Sequence, residues 1–291
     1  MDKYFVFTDF DLDGSGSYTC LTWLLGGPIP YRGSTVKNFD TDFKSWLLTN
    51  KISDYKKIFI LDIDVCKFKD LIDYENVIIV DHHPSHKNVY TKAVSILKPV
   101  TSNVELLRQT LLKNVNLTVN QKLLINIIDG YDCYRLDDSR SLMLNTLFWQ
   151  YRGDRIKQFY NDFNTGFTEF NVQQKNIIIF ELKKLQEYFA TTPIYYNKNT
   201  DYTVAAMFGN FSVNELADHV LKKTQCDLAC IVNTKAKRIY FRRKKTSSVP
   251  ITKMVEDITD LKGEGHDNAC STPLTEKFLE YTKQLSVYEK T

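Results

Sequence analysis

Residues 81–83 read Asp-His-His and follow directly on the apolar run Val77-Ile78-Ile79-Val80. Three further acidic clusters, Asp9/Asp11/Asp13, Asp62/Asp64 and Asp129/Asp132, also close apolar runs. Carboxylates and imidazoles gathered at strand ends form the donor set of a hard-to-intermediate divalent metal. Three carboxylates spaced as Asp9, Asp11 and Asp13 repel one another. They stay ionised together only around a cation, or else their pKa values rise by several units. On an extended backbone the alternation turns all three to one side, and Gly14 and Gly16 let backbone approach a ligand closely. The chemistry this implies is metal-dependent phosphoester hydrolysis.

Each cluster also has a plainer reading. Asp9, Asp11 and Asp13 on their own make a solvated acidic turn. Asp62 and Asp64 compete for one role after Ile58-Phe59-Ile60-Leu61, and a lone strand-end Asp is also a helix cap. In an extended segment His82 and His83 face opposite ways, one to a metal and the other to substrate or a supporting group. Asp129 and Asp132 close a helix, where the dipole disfavours carboxylates, so a use other than helix stability is implied for one of them. Gly263, Gly265 and His266 read as a glycine-containing turn whose amides could cradle a phosphate. Arg238, Arg242, Arg243, Lys244 and Lys245 make a basic strand end, either a charged edge strand or a phosphate-binding edge.

The elements that must position these groups alternate. Strand-like runs at 4–7, 34–39, 57–61 and 77–80 are separated by helical patterns at 18–25, 40–50 and 67–73. Such alternation predicts a parallel sheet covered on both faces, with ligands gathering at the carboxyl ends of its strands. From residue 101 the pattern turns helical. Thr101 or Ser102 can cap a helix carrying Val104, Leu107, Leu111 and Leu112, and further helices are expected at 121–128 and 171–190. Thr191-Thr192-Pro193 breaks the last of them and sets the domain boundary at residue 190. Strands return at 202–208, 228–232 and 238–242, with helices at 213–222, 251–258 and from Leu274. The expected fold class is α/β, with a parallel-sheet domain at 1–190 and a smaller α/β domain at 191–291.

Composition narrows the class less than the motifs do. The 291 residues are 43% hydrophobic and 25% charged, ordinary for a globular protein. The net charge of +3 neither favours nor excludes a nucleic-acid partner. No apolar run reaches the ~20 residues of a membrane span, so no membrane partner is expected. The first residues enter a strand-like run at once and do not read as a secretory signal. The six cysteines form no Cys-x-x-Cys pair and read as reduced structural thiols, which points to the cytoplasm. Oligomeric state is not legible, and a homodimer stays open.

Taken in order, Asp-x-Asp-x-Asp-Gly, strand-Asp, strand-Asp-His-His, helix-Asp and a late Gly-x-Gly-His resemble the DHH phosphoesterase superfamily with its DHH-associated C-terminal domain. The resemblance spans essentially the whole chain. It implies two divalent ions about 3.5–4 Å apart, Mn²⁺ first, with Mg²⁺ or Co²⁺ as alternatives. By position, Asp9 and Asp11 match ligands of one ion and Asp13 a ligand of the other. Asp62 matches the bridging carboxylate. His82 matches a ligand of the second ion, completed by Asp129. His83 matches the residue on the scissile phosphate and Asp81 its orienting carboxylate. Gly263, Gly265, His266 and Arg242 match substrate-binding positions of the C-terminal domain, across a cleft from the metals. Two departures stand out: Asp9 occupies a position that is His in many nanoRNases, and Glu264 interrupts the late glycines. The implied substrate is a short single-stranded oligonucleotide or a dinucleotide. A RecJ-like single-strand exonuclease is the alternative, followed by a polyphosphatase or pyrophosphatase, and then by a non-catalytic binding module.

Overall fold

The computed structural model describes residues 3–98, 101–198, 201–266 and 268–288, except the side chains of 198 and 264–266. The chain divides into two compact units, Met1–Leu182 and Lys183–Thr291.

The first unit opens with β1 (Tyr4–Thr8), α1 (Leu12–Leu25), β2 (Tyr31–Gly33), α2 (Phe39–Leu47), β3 (Lys57–Leu61), α3 (Lys69–Ile72), β4 (Val77–Asp81) and β5 (Val94–Leu97). The strands form one sheet in the order β2-β1-β3-β4-β5, and every pairing in it is parallel. Period-two alternation explains why β1, β3 and β4 are apolar throughout. Phe5, Phe7, Ile58, Ile60, Val77 and Ile79 pack on one face with Phe39, Phe43 and Trp46 of α2. Val6, Phe59, Leu61 and Val80 pack on the other with Tyr18 and Leu21 of α1. That second face is completed by α4 (Asn103–Gln109), α5 (Val119–Asp132), α6 (Ser139–Phe148), α7 (Arg155–Phe163) and the first half of α8 (Val172–Thr191).

The strand at 34–39 is not formed. The strand lies at Tyr31–Gly33, and Thr35 instead accepts the amides of Asn38 and Phe39 that open α2. The chain leaves β1 for β2 on one side and reaches β3 on the other. The crevice above β1 and β3 is therefore the topological switch point where ligands of open α/β sheets bind.

The second unit holds β6 (Tyr195–Lys198), β7 (Thr203–Phe208), α9 (Val213–Thr224), β8 (Leu228–Asn233), β9 (Arg238–Arg243), α10 (Ile251–Thr259), β10 (Glu264–His266), β11 (Ala269–Pro273), α11 (Glu276–Thr282) and β12 (Ser286–Val287). Its mixed sheet runs β10-β11-β9-β8-β7-β6-β12. Two sequence expectations change here. The basic strand β9 lies inside the sheet, between β8 and β11, and is not an edge. Gly265 and His266 belong to strand β10, paired with Cys270 and Ala269, and do not form the turn. The contacts of the His266 side chain fall outside the described residues.

Candidate metal centre

The site starts where β1 ends. The chain does not stay extended past Thr8. Asp9 follows the strand, Asp11 becomes the N-cap of α1, and Asp13 falls in the first turn of that helix. Asp11 Oδ1 accepts the Gly14 amide at 2.8 Å, and Asp9 Oδ1 accepts that of Phe10 at 2.5 Å. The three carboxylates are thus gathered by a helix start, not by strand alternation. Gly14 is required by the loop itself, since a Cβ there would lie 2.5 Å from the Asp9 carbonyl oxygen. At Gly16 a Cβ would meet Ile128 of α5 at 2.6 Å. Both glycines serve close packing of the chain on itself.

Asp13 is 2% exposed, and its carboxylate accepts the amides of Asn103 at 2.6 Å and Val104 at 3.0 Å. It thereby ties the start of α1 to the start of α4, whose N-cap is Ser102. Asp62 follows β3 with its amide on the Val80 carbonyl. Its φ of 61° is a left-handed conformation that Asp and Asn tolerate better than other L-residues. The Asp62 carboxylate is buried, and its Oδ1 has no hydrogen-bond partner among the described residues.

Strand β4 ends at Asp81, so His82 and His83 lie beyond it and do not face opposite ways. Their ring centroids are 4.7 Å apart. His82 Nε2 stands 3.3 Å from Asp62 Oδ1 and 3.7 Å from both Asp13 Oδ2 and Asp132 Oδ2. His83 Nδ1 donates to Asp81 Oδ1 at 2.7 Å and is 4.0 Å from Asp62 Oδ1. Asp62, His82 and His83, and likewise Asp13, His82 and Asp132, offer ligand atoms within 4.8 Å of one another. One imidazole nitrogen ringed by carboxylate oxygens, with a buried orphan oxygen among them, fits a divalent cation.

The electrostatics agree. Burial, then the Asp11 charge, raises Asp9 to about 7. Burial raises Asp11, and it holds Asp13 and Asp62 well above the carboxylate range with the help of neighbouring carboxylates. Desolvation and then Asp11 raise Asp132 to about 7. Asp81 goes the other way. Burial would raise it, but hydrogen bonds from His83 and His86 outweigh burial and hold it below the usual range. Burial also disfavours His83 as a cation, yet the Asp81 bond outweighs that and lifts it to about 9.

Among the residues singled out from sequence, the structure brings together Asp13, Asp62, Asp81, His82 and His83, with Asp9 and Asp11 alongside. Asp129 is turned elsewhere. Its carboxylate accepts the Ser102 hydroxyl at 2.6 Å and amide at 3.1 Å, and pairs with Arg135 at 2.8 Å. Asp132, the last residue of α5, stands beside His82 instead. Asp64 accepts the Ser85 hydroxyl and the Cys66 amide and joins neither ligand group. In the second unit, Arg242 donates to Asn214 Oδ1 of α9 and to the Phe241 carbonyl. Its strand register sets Arg242 opposite Ala269, which in turn lies opposite His266.

Sequence reasoning passed over His86, which bonds the second oxygen of Asp81, and Phe10. The third His within Asp-His-His-Pro-Ser-His was the available signal for the first. The Phe10 ring is 42% exposed and rests on Gly33, where a Cβ would approach it to 2.4 Å.

No protein-family model and no curated protein matches the chain. Solved structures do. The pGpG-specific phosphodiesterase PggH from Vibrio cholerae is 14% identical, covers 97% of each chain and has a TM-score of 0.60. The DHH domain of a member of a ribosomal-protein family is 12% identical over 98% of this chain and 87% of its own, with a TM-score of 0.63. Exonuclease RecJ bound to manganese is 12% identical over 97% and 88%, with a TM-score of 0.52. At these identities the likeness is one of fold, and the fold is that of DHH-domain proteins, including the unit that follows the parallel sheet.

Proposed function

We propose that this chain, built on the DHH-domain fold, is a metal-dependent phosphodiesterase that hydrolyses short single-stranded oligonucleotides or dinucleotides. The observation that carries the reading is the buried Asp62 Oδ1, partnerless among the described residues and facing His82 Nε2 at the β1/β3 switch point. Asp9, Asp11, Asp13, Asp62, His82 and Asp132 would hold two divalent cations, with Asp132 taking the place first given to Asp129. Mn²⁺ is the first candidate, since the similar RecJ structure holds manganese. When bound, such cations supply charge to the phosphate oxygens and acidify water.

The chain's own residues do the rest. His83 donates Nδ1–H to Asp81, and as an imidazolium it also carries a proton on Nε2 for a phosphate oxygen. Asp81 keeps that ring in place and cannot lose its charge near neutrality. Two points favour a nucleotide over polyphosphate or pyrophosphate: the likeness to a pGpG phosphodiesterase along both chains, and the exposed Phe10 face beside Asp9 and Asp11, on which a base could stack. The alternative, an exonuclease on long single strands, draws on the likeness to RecJ and on the basic strand β9.

The deciding experiment incubates the protein with Mn²⁺ and a linear dinucleotide, a cyclic dinucleotide, a long single strand or polyphosphate. Cleavage of a dinucleotide with the highest kcat/KM supports the proposal. Cleavage of polyphosphate alone, or of nothing in the panel, ends it.

A further inference from the structure

Asp81 has two carboxylate oxygens, and an imidazole sits on each. His83 Nδ1 is 2.7 Å from Oδ1, and His86 Nδ1 is 2.6 Å from Oδ2. Asp81 is fully buried at the end of β4, and the His86 side chain is fully buried as well. An ionised carboxylate only accepts hydrogen bonds, so both Nδ1 atoms carry hydrogen. That fixes which edge of each ring faces the carboxylate. His86 Nε2 lies 2.7 Å from the Tyr90 hydroxyl. The result is a chain, Tyr90–His86–Asp81–His83, that ends at the metal centre.

We propose that His86, backed by Tyr90, is a positioning residue for His83, acting through the second oxygen of Asp81. The proposal rests on the phosphodiesterase reading in one respect, the role given to His83 on the phosphate. A carboxylate with one oxygen unoccupied can turn about its last side-chain bond, because such terminal torsions are broad. It could then bond water or offer His83 the other oxygen at a different angle. With Oδ2 taken by a rigid, buried ring, Asp81 presents Oδ1 to His83 in one orientation only. Ser85 and Asp64 pin the loop between the two rings, through a hydroxyl-to-carboxylate bond of 2.7 Å. A core histidine with no role at the site would fill its space equally well with either nitrogen toward Asp81. Its Nδ1 edge instead meets the very carboxylate that holds His83.

The test compares His86→Leu with His86→Asn. Asparagine places an amide N–H near the position of Nδ1 and retains the donor, whereas leucine removes it. His86→Leu is expected to lower kcat about 10–100-fold, the range for losing such a supporting bond, with KM changed less than about threefold. His86→Asn is expected to recover most of the loss. The Nδ1–H proton signal of His83, read on the metal-free protein, is expected to move upfield in the Leu variant, as its bond to Asp81 weakens, and to stay in place in the Asn variant. Unchanged His83 signals in the Leu variant, or equal kcat losses in both variants, overturn the proposal. If His86→Leu does not fold, Tyr90→Phe decides through the same signals. The NMR readout needs neither metal nor substrate. A shift in a protein that cleaves none of the panel would therefore sink the functional reading and leave the positioning role standing.

Discussion

Nε2 of His82 stands 3.3 Å from Oδ1 of Asp62, a buried oxygen that accepts no hydrogen bond among the described residues. A buried polar atom without a partner costs about 1–3 kcal/mol, and more when it is charged. Such an atom persists where something else uses it. Asp62→Asn removes the charge and keeps a residue tolerant of the left-handed backbone at φ 61°. Without metal the variant should melt at or above the wild-type temperature, since one carboxylate leaves an acidic cluster. With Mn²⁺ the wild type should gain Tm through linkage, whereas the variant should gain little and hydrolyse nothing. Thermal melts with and without Mn²⁺ check this. An equal Mn²⁺-induced shift in both proteins would remove Asp62 from the metal site.

The raised carboxyls fix the sign of the pH dependence. Asp9 and Asp132 each titrate at about 7 in the folded metal-free protein, against about 3.9 in an unfolded chain. Between those values the folded state binds more protons than the unfolded one, so stability falls as pH rises. His83, raised to about 9, adds to the fall above its unfolded value of about 6.5. Asp81 has the opposite sign, but its depressed pKa costs stability only below the unfolded carboxyl value. Metal-free protein should therefore melt higher at about pH 5.5 than at about pH 8.5. Mn²⁺ competes with the same protons, so its stabilisation should grow over this range. A metal-free Tm that rises across that range would contradict the coupled acidic cluster.

Asp129 and Asp132 separate by what they touch. Asp132→Asn loses an oxygen that faces His82. Its turnover should fall by more than the about 100-fold that supporting groups cost at metal sites. Asp129→Ala instead leaves the Ser102 amide and Arg135 without their acceptor. It should lose about 1–3 kcal/mol of stability, while turnover per folded molecule drops less than about tenfold. Paired denaturation and kinetic measurements on the two variants read this directly. The reverse pattern would return the ligand role to Asp129.

Most of the centre was legible because its motifs sit where a parallel sheet must place them. The apolar runs ending at Phe7, Leu61 and Val80 foretold β1, β3 and β4, and adjacency of those strands brings Asp13, Asp62 and His82 together. What the sequence hid was side-chain direction past the ends of regular elements. His82 and His83 were assigned opposite faces on the premise of an extended chain, but β4 stops at Asp81. Asp129 and Asp132 differ by less than one helical turn, and only the position of α4 decides which of them faces the site. Helix α6 carries a mixed pattern, and β5, β6, β10 and β12 are too brief for a period to show.

Phe10 offers the sharpest distinction between substrates. Its ring lies over Gly33 at the carboxyl end of β2, half-exposed and flanked by Asp9 and Asp11. Base stacking on an aromatic is worth about 1–3 kcal/mol per base, or roughly 5–150-fold in affinity. Phe10→Ala should therefore raise KM for a dinucleotide by a factor in that range. It should leave hydrolysis of a base-free phosphodiester unaffected, because the carboxylates and both histidines are untouched. A short-substrate enzyme should also show kcat/KM that stops rising beyond a few nucleotides. Its salt dependence should be gentle, since a substrate of a few nucleotides offers few phosphates and so few counterions to release. Kinetics of both proteins on a base-free diester, a dinucleotide, a short oligomer and a long strand at two salt concentrations make the comparison. If efficiency climbs steadily to the longest strand with a steep salt slope, the exonuclease alternative replaces the dinucleotide reading. Equal losses on the base-free diester and the dinucleotide would show that Phe10 shapes the metal centre and does not hold a base.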